Sequence, residues 1–181
     1  MTQLLHDVRA GEEAAVDSLL ALAYAELGRL ARMHLPGERG GHVLQPTALV
    51  HEAWMKLAGH LDGVEDRRHF FAIASQAMRQ VLTDHARSIN CQKREGRAKR
   101  VTIDESQVMG RLGEIDLIDL DDSLNRLATL NTRHARVVEL RIFGGLTIAE
   151  TAESLAISDS TVEKDWFAAR AWLRRELSRA R

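Results

Sequence analysis

An all-α fold of two small helical domains joined by a flexible linker is what this sequence predicts, and three observations carry it. Long stretches are rich in Ala, Leu, Arg and Glu, all of them good helix formers, and only Pro36 and Pro46 supply proline in 181 residues. Apolar residues recur three and four apart in both halves of the chain, the repeat of one helix face. Between the halves, residues 92 to 116 are rich in charge and glycine and have no apolar period, the composition of a linker. The predicted boundaries are 1–95 for the first domain, 96–115 for the linker and 116–181 for the second domain.

In Ala14 to Leu35, the residues Val16, Leu19, Leu20, Ala23, Leu27, Leu30 and Ala31 fall at helical spacing. Pro36 to His42, with Gly37, Gly40 and Gly41, reads as a loop. Pro46 suits the first turn of a second helix, striped by Leu49, Val50, Ala53, Trp54 and Leu57 and stopped near Gly59. After a polar turn, Asp62 to Arg67, a long helix from about Arg68 to Asn90 turns Phe70, Phe71, Ala74, Ala77, Met78, Val81, Leu82 and His85 inward. A short strand is suggested at Val101–Ile103. The second domain opens near Ile115 with Leu117, Leu120, Leu124 and Leu127. Asn131 and Thr132 break and recap the chain, and a helix carrying Val137, Val138, Leu140, Arg141 and Phe143 stops at Gly144–Gly145.

The most informative local pattern follows. Thr147-Ile148-Ala149-Glu150 is a capping box, in which the Thr hydroxyl accepts from the Glu150 amide and the Glu150 carboxylate reaches back. The helix it opens is predicted to bury Ile148, Ala149, Ala152 and Leu155. Ser158 caps the next helix, whose apolar stripe is Val162, Trp166, Ala169, Leu173 and Leu177. Two capped helices joined by a short turn, the second one long, spell a helix-turn-helix. At about 100° per residue, the face opposite that stripe carries Ser160, Lys164, Ala168, Ala171 and Arg175, with Thr161 at its flank. Ser160 and Lys164 are placed to reach base edges, and Arg170, Arg174 and Arg175 to hold phosphates. Glu163 and Asp165 oppose phosphate binding wherever they face it. Ala156 stands where such a turn favours glycine.

Composition narrows the function classes. Net charge is −1 and the pI about 6.7, more acidic than a simple DNA-binding domain. That average hides a basic block, Arg87, Lys93, Arg94, Arg97, Lys99 and Arg100, followed by an acidic one from Asp104 to Asp122. One cysteine, Cys91, excludes an internal disulfide and a cysteine-based zinc site. No apolar run is long enough for a membrane span, and Met1 to Ala10 lacks the pattern of a secretory signal, so a cytoplasmic location without a membrane partner is expected. His51-Glu52-Ala53-Trp54-Met55 begins like a zinc-protease motif, but Met55 occupies the second ligand position. With no glycine-rich phosphate loop and no nucleophile elbow, the expectation is a non-enzyme with no catalytic residues, metal or cofactor.

Several stretches together resemble one known family. They are Leu44-Gln45-Pro46-Thr47-Ala48-Leu49-Val50-His51-Glu52-Ala53-Trp54, His69-Phe70-Phe71-Ala72, Asp84-His85-Ala86-Arg87, the run Arg136 to Leu146, and the run Asp165 to Leu173. In this order, across nearly the whole chain, they resemble the extracytoplasmic-function (ECF) sigma factors, small bacterial transcription initiation factors. The resemblance implies that the first domain is region 2, which binds the clamp coiled coil of the β′ subunit of core RNA polymerase and holds the melted minus-ten element. The second domain is then region 4, which reads the minus-thirty-five element of promoter DNA.

Under that resemblance, Gln45, Thr47, Ala48, His51 and Glu52 form the polymerase-binding helix face. Arg79, Arg87, Lys93 and Arg94 follow the displaced strand, and the turn Asp66 to His69 pockets a flipped base. The chain departs from the family where the polymerase-binding helix usually opens with acidic residues: here it reads Gln45-Pro46-Thr47-Ala48-Leu49, and only Glu52 is near. Thr47 stands where a carboxylate is usual, in the first helical turn, so its phosphorylation would restore the charge. The alternative role for Thr47 is as a helix cap. A Ser/Thr kinase or an anti-sigma factor is the regulator to be sought. The alternative reading of the whole chain is a free-standing helix-turn-helix transcriptional regulator that binds duplex DNA alone.

Overall fold

The computed structural model of the chain describes residues 2–9, 12–34, 46–58, 64, 66–92, 100–101 and 115–179. Over these residues the protein is all-α, as the sequence predicts. Its helices are α1 (Thr2–Arg9), α2 (Glu13–His34), α3 (Pro46–Ala58), α4 (Arg67–Gln92), α5 (Leu117–Leu130), α6 (Thr132–Ile142), α7 (Ile148–Leu155) and α8 (Asp159–Arg179). Only α1 has no counterpart in the sequence pattern. Two-residue strands, β1 (Arg100–Val101) and β2 (Ile115–Asp116), pair antiparallel, Arg100 opposite Asp116 and Val101 opposite Ile115. The strand expected at Val101–Ile103 overlaps β1, while Thr102 and Ile103 lie outside the described residues, as does most of the predicted linker.

In the first half, the apolar stripes meet as their spacing predicts. Leu19, Ala23, Leu27 and Leu30 of α2, Leu49, Ala53 and Leu57 of α3, and Phe70, Ala74, Met78 and Leu82 of α4 are all buried in one cluster. Tyr24 lies tilted against Trp54, ring centroids 5.5 Å apart. Asp66 caps α4, its Oδ1 accepting from the His69 amide at 2.8 Å. In the second half, α8 packs along α5, α6 and α7, burying Val162, Trp166, Ala169 and Leu173.

Helix α4 belongs to both halves. One side meets α2 and α3, and the other meets α5, α6 and α7, so the buried cluster runs from α2 to α8, with Leu4 of α1 packed partly buried against it. The approach is close at Gly144. A Cβ there would lie 2.3 Å from Ser75 Oγ on α4 and 2.6 Å from the Leu140 carbonyl, so only glycine fits. Gly145 beside it has a φ of 59°, the left-handed region that ends α6. No described helix is long and apolar enough to cross a membrane.

Candidate nucleic-acid interface

The α7–α8 pair is built from its caps. The Thr147 side chain accepts from the Glu150 amide at 3.2 Å, and the Glu150 carboxylate accepts from the Thr147 amide at 2.8 Å, so the predicted capping box is closed in both directions. The inward face of α7 differs from the prediction. Ala149 is exposed, Ile148 and Leu155 are half-buried, and Thr151 and Ala152 are buried. Thr151 tolerates that place because its hydroxyl donates to the Thr147 carbonyl at 2.8 Å. The turn is made by Ala156, at φ 53° and ψ 44°, a left-handed alanine. Ser158 then caps α8, its Oγ accepting from the Thr161 amide at 3.2 Å.

Helix α8 is anchored by what lies beneath it. Trp166 is buried, with the Arg141 and Arg170 guanidiniums 5.4 and 5.7 Å from its ring centre. Asp165 points inward rather than toward a phosphate: Arg133 donates to it at 2.5 and 3.0 Å, and His134 lies 3.3 Å away. The Arg133 hydrogen bonds hold the Asp165 carboxyl below the usual carboxylate range, with the Arg133 and His134 charges adding to them against the opposing effect of burial. The repulsion expected from Asp165 is thereby removed. Arg170 also differs from its expected role. It is half-buried over Trp166, and burial, followed by repulsion from Arg174, lowers its pKa, so its apolar stem and ring contact tie it to the core.

The opposite face of α8 is open. Ser160, Lys164, Phe167, Ala168, Ala171, Arg174 and Arg175 are exposed, and Thr161 is half-buried at the flank. The sequence-predicted base-edge and phosphate residues are therefore brought to one side, with Arg170 the exception. Phe167, 77% exposed, is the residue this face adds.

On α4 the outcome is different. The expected open outer face is corrected at Arg79, whose side chain is only 15% exposed. Its guanidinium donates to Asp121 Oδ1 at 2.8 Å, the Asp121 carbonyl at 3.0 Å, Asn125 Oδ1 at 2.6 Å and Glu139 Oε1 at 3.4 Å. Arg87, half exposed, donates to the other oxygen of Asp121 at 3.0 Å. Glu139 is also held by Arg136. The physical reason is charge: burying Asp121 and Glu139 requires cations, and Arg79 is the one α4 delivers between them. Lys93 and Arg94 lie outside the described residues. At the start of α4, Arg68 pairs with Asp66, the residue that caps the helix, at 2.6 Å, and their hydrogen bond lowers the Asp66 pKa.

On α3, Thr47, Ala48, His51 and Glu52 are exposed on the side away from Leu49, Val50, Ala53 and Leu57. Gln45 lies outside the described residues. His51 Nδ1 is 3.3 Å from the Tyr24 hydroxyl. The first turn of α3 has no acidic residue.

Sequence reasoning missed the Arg79–Asp121–Glu139 network, the Arg133–Asp165 pair and the exposure of Phe167. The inward-facing polar positions at Asp121 and Glu139, among the leucines and valines of their helices, were the only local signal for the first. Compared with known proteins, the chain matches the model of the ECF sigma factor family over residues 1–179. No curated protein matches it. A match over nearly the entire length shows that the chain belongs to the ECF sigma factors, which act in transcription initiation.

Proposed function

We propose that the protein binds core RNA polymerase through the outer face of α3 and places α8 in the major groove of the minus-thirty-five element. The observation that carries this reading is the α7–α8 pair, doubly capped and presenting Ser160, Lys164, Arg174 and Arg175 to solvent. On α3, the exposed row Thr47, Ala48, His51 and Glu52 meets the β′ clamp coiled coil. Arg87, Lys93 and Arg94 follow the strand of the minus-ten element. The domain division at 1–95 and 116–181 belongs to this reading.

Promoter engagement requires the halves to part. The two elements lie roughly 25 base pairs apart, about 85 Å at 3.4 Å per pair. A compact chain of this length is only about 40 Å across. Arg79 and Arg87, bound to Asp121, are released in the same movement.

Thr47 is the proposed switch. It is exposed and lies one residue inside α3, after Pro46, which favours modification over capping. A phosphate there adds almost two negative charges at a helix N-terminus that has no acidic residue. The test is binding of core polymerase by the unmodified chain, the kinase-phosphorylated chain and Thr47→Ala treated with the kinase. Binding by the phosphorylated chain alone supports both docking and switch. Tight binding by all three keeps the docking and removes the switch. If none binds polymerase while the chain shifts duplex DNA by itself, the free-standing regulator replaces this reading.

A further inference from the structure

Three of the four phenylalanines lie in the core: Phe70, Phe71 and Phe143 are at most 5% exposed. Phe167 is 77% exposed, on the side of α8 that carries Ser160, Lys164 and Ala171. These four residues are spaced four, three and four apart and form one outward row. The neighbours of Phe167 in sequence fix its direction. Asp165 is bound by Arg133, and Trp166 is buried between Arg141 and Arg170. Helix α8 therefore cannot roll to hide the ring without breaking both anchors. The aromatic side chain is held in solvent by the same packing that holds Lys164 there.

A phenyl ring offers a base edge no hydrogen bond. In the major groove the one apolar feature among the four bases is the C5-methyl of thymine. We propose that Phe167 is a sequence-reading residue of this sigma factor, its ring packing on a thymine C5-methyl in the promoter's minus-thirty-five element. This rests on the reading that α8 enters that groove. Lys164 stands about one helical turn before it, roughly 5 Å along the axis, against 3.4 Å per base pair. The pair contacted by Lys164, whose ammonium suits guanine O6 or N7, is then one or two steps from the thymine. Ala171, one turn further, extends the apolar strip. The element preferred by this protein accordingly carries a guanine next to, or one removed from, a thymine whose methyl group matters.

The test uses holoenzyme assembled with the full chain in its polymerase-binding form. The probes are duplexes that this holoenzyme selects from a pool randomised over the minus-thirty-five element. Each thymine of a selected duplex is replaced in turn by deoxyuridine, which keeps every hydrogen bond and removes only the methyl. At one thymine or two, the loss is expected to be about fourfold for the wild type, the value of burying one methyl-sized group. With Phe167→Ala the same replacement should cost nothing, and Phe167→Leu should retain part of the effect. Equal losses for wild type and Phe167→Ala, or no loss at any thymine, would overturn the proposal. So would a fall in core-polymerase affinity of Phe167→Ala in the absence of DNA, which would make the ring a protein contact. If selection returns no preferred sequence for the wild type, the groove-binding reading of α8 fails first, and Phe167 with it. Because the ring is exposed, an unchanged melting temperature is expected for both variants, and this separates reading from folding.

Discussion

Ala156 holds a backbone conformation that alanine resists. Its left-handed φ of 53° sets the angle between α7 and α8, and its Cβ costs about 1 kcal/mol there. Ala156→Gly is therefore expected to raise unfolding stability by up to about 1 kcal/mol, less the extra freedom that glycine has in the unfolded chain. Urea denaturation followed by circular dichroism would read this as a higher midpoint at unchanged slope; a lower midpoint would mean that the turn is not strained. The sequence reveals this residue, because a helix-turn-helix turn demands a left-handed position and the register puts alanine in it. Phe167 shows the opposite case. The stripe says only that it lies off the apolar face, and its proposed role rests on the exposure that Trp166 and Asp165 impose.

At the scale of elements, caps were legible and exact phase was not. Asn131 accepts from the His134 amide, Thr147 and Glu150 close their box, and Ser158 caps α8, each a bond between residues three apart. Such bonds are written in local sequence. The eight-residue α7 is too short for its two turns to set a face, so neighbouring helices decide that Thr151 goes in and Ala149 stays out. The α6–α8 clamp gives a pH test. Asp165 has a lowered pKa in the folded state, so its pairing with Arg133 stabilises fully above the unfolded value of about 3.9 and is lost as pH falls through the lower folded value. Asp165→Asn is expected to cost about 1–3 kcal/mol at pH 7. The gap to wild type should narrow as pH falls from about 5 toward 2. A constant gap in denaturation curves across that range would show that the Asp165 charge is not the stabilising feature.

At the scale of the whole molecule, α4 decides the arrangement, since its Arg79 and Arg87 converge on Asp121 from the second half. Replacing Asp121 by arginine puts three cations together where two were neutralised. Asp121→Arg is expected to part the halves with helix content retained. Small-angle scattering should then exceed the radius of gyration of about 16 Å that a compact chain of this length has. An unchanged radius with unchanged circular dichroism would mean that apolar packing at Ser75, Gly144 and Leu146 holds the halves without the network. None of this could be read along the chain. The partners of Arg79 lie 42 to 60 residues away, and a helical period says which face of α4 is apolar but not which helix will cover the other. By itself the sequence determined the helical class, the boundaries of α2 to α8 to within a few residues and the caps, because each depends on spacing and hydrogen bonding between residues a few positions apart, and its motifs, taken in order, carried the resemblance to the sigma factors. Only the tertiary structure decided that Arg79 is spent on Asp121 and Glu139, that Asp165 is neutralised by Arg133, and that Phe167 stays in water, because burial and charge pairing are settled by whichever distant segment arrives.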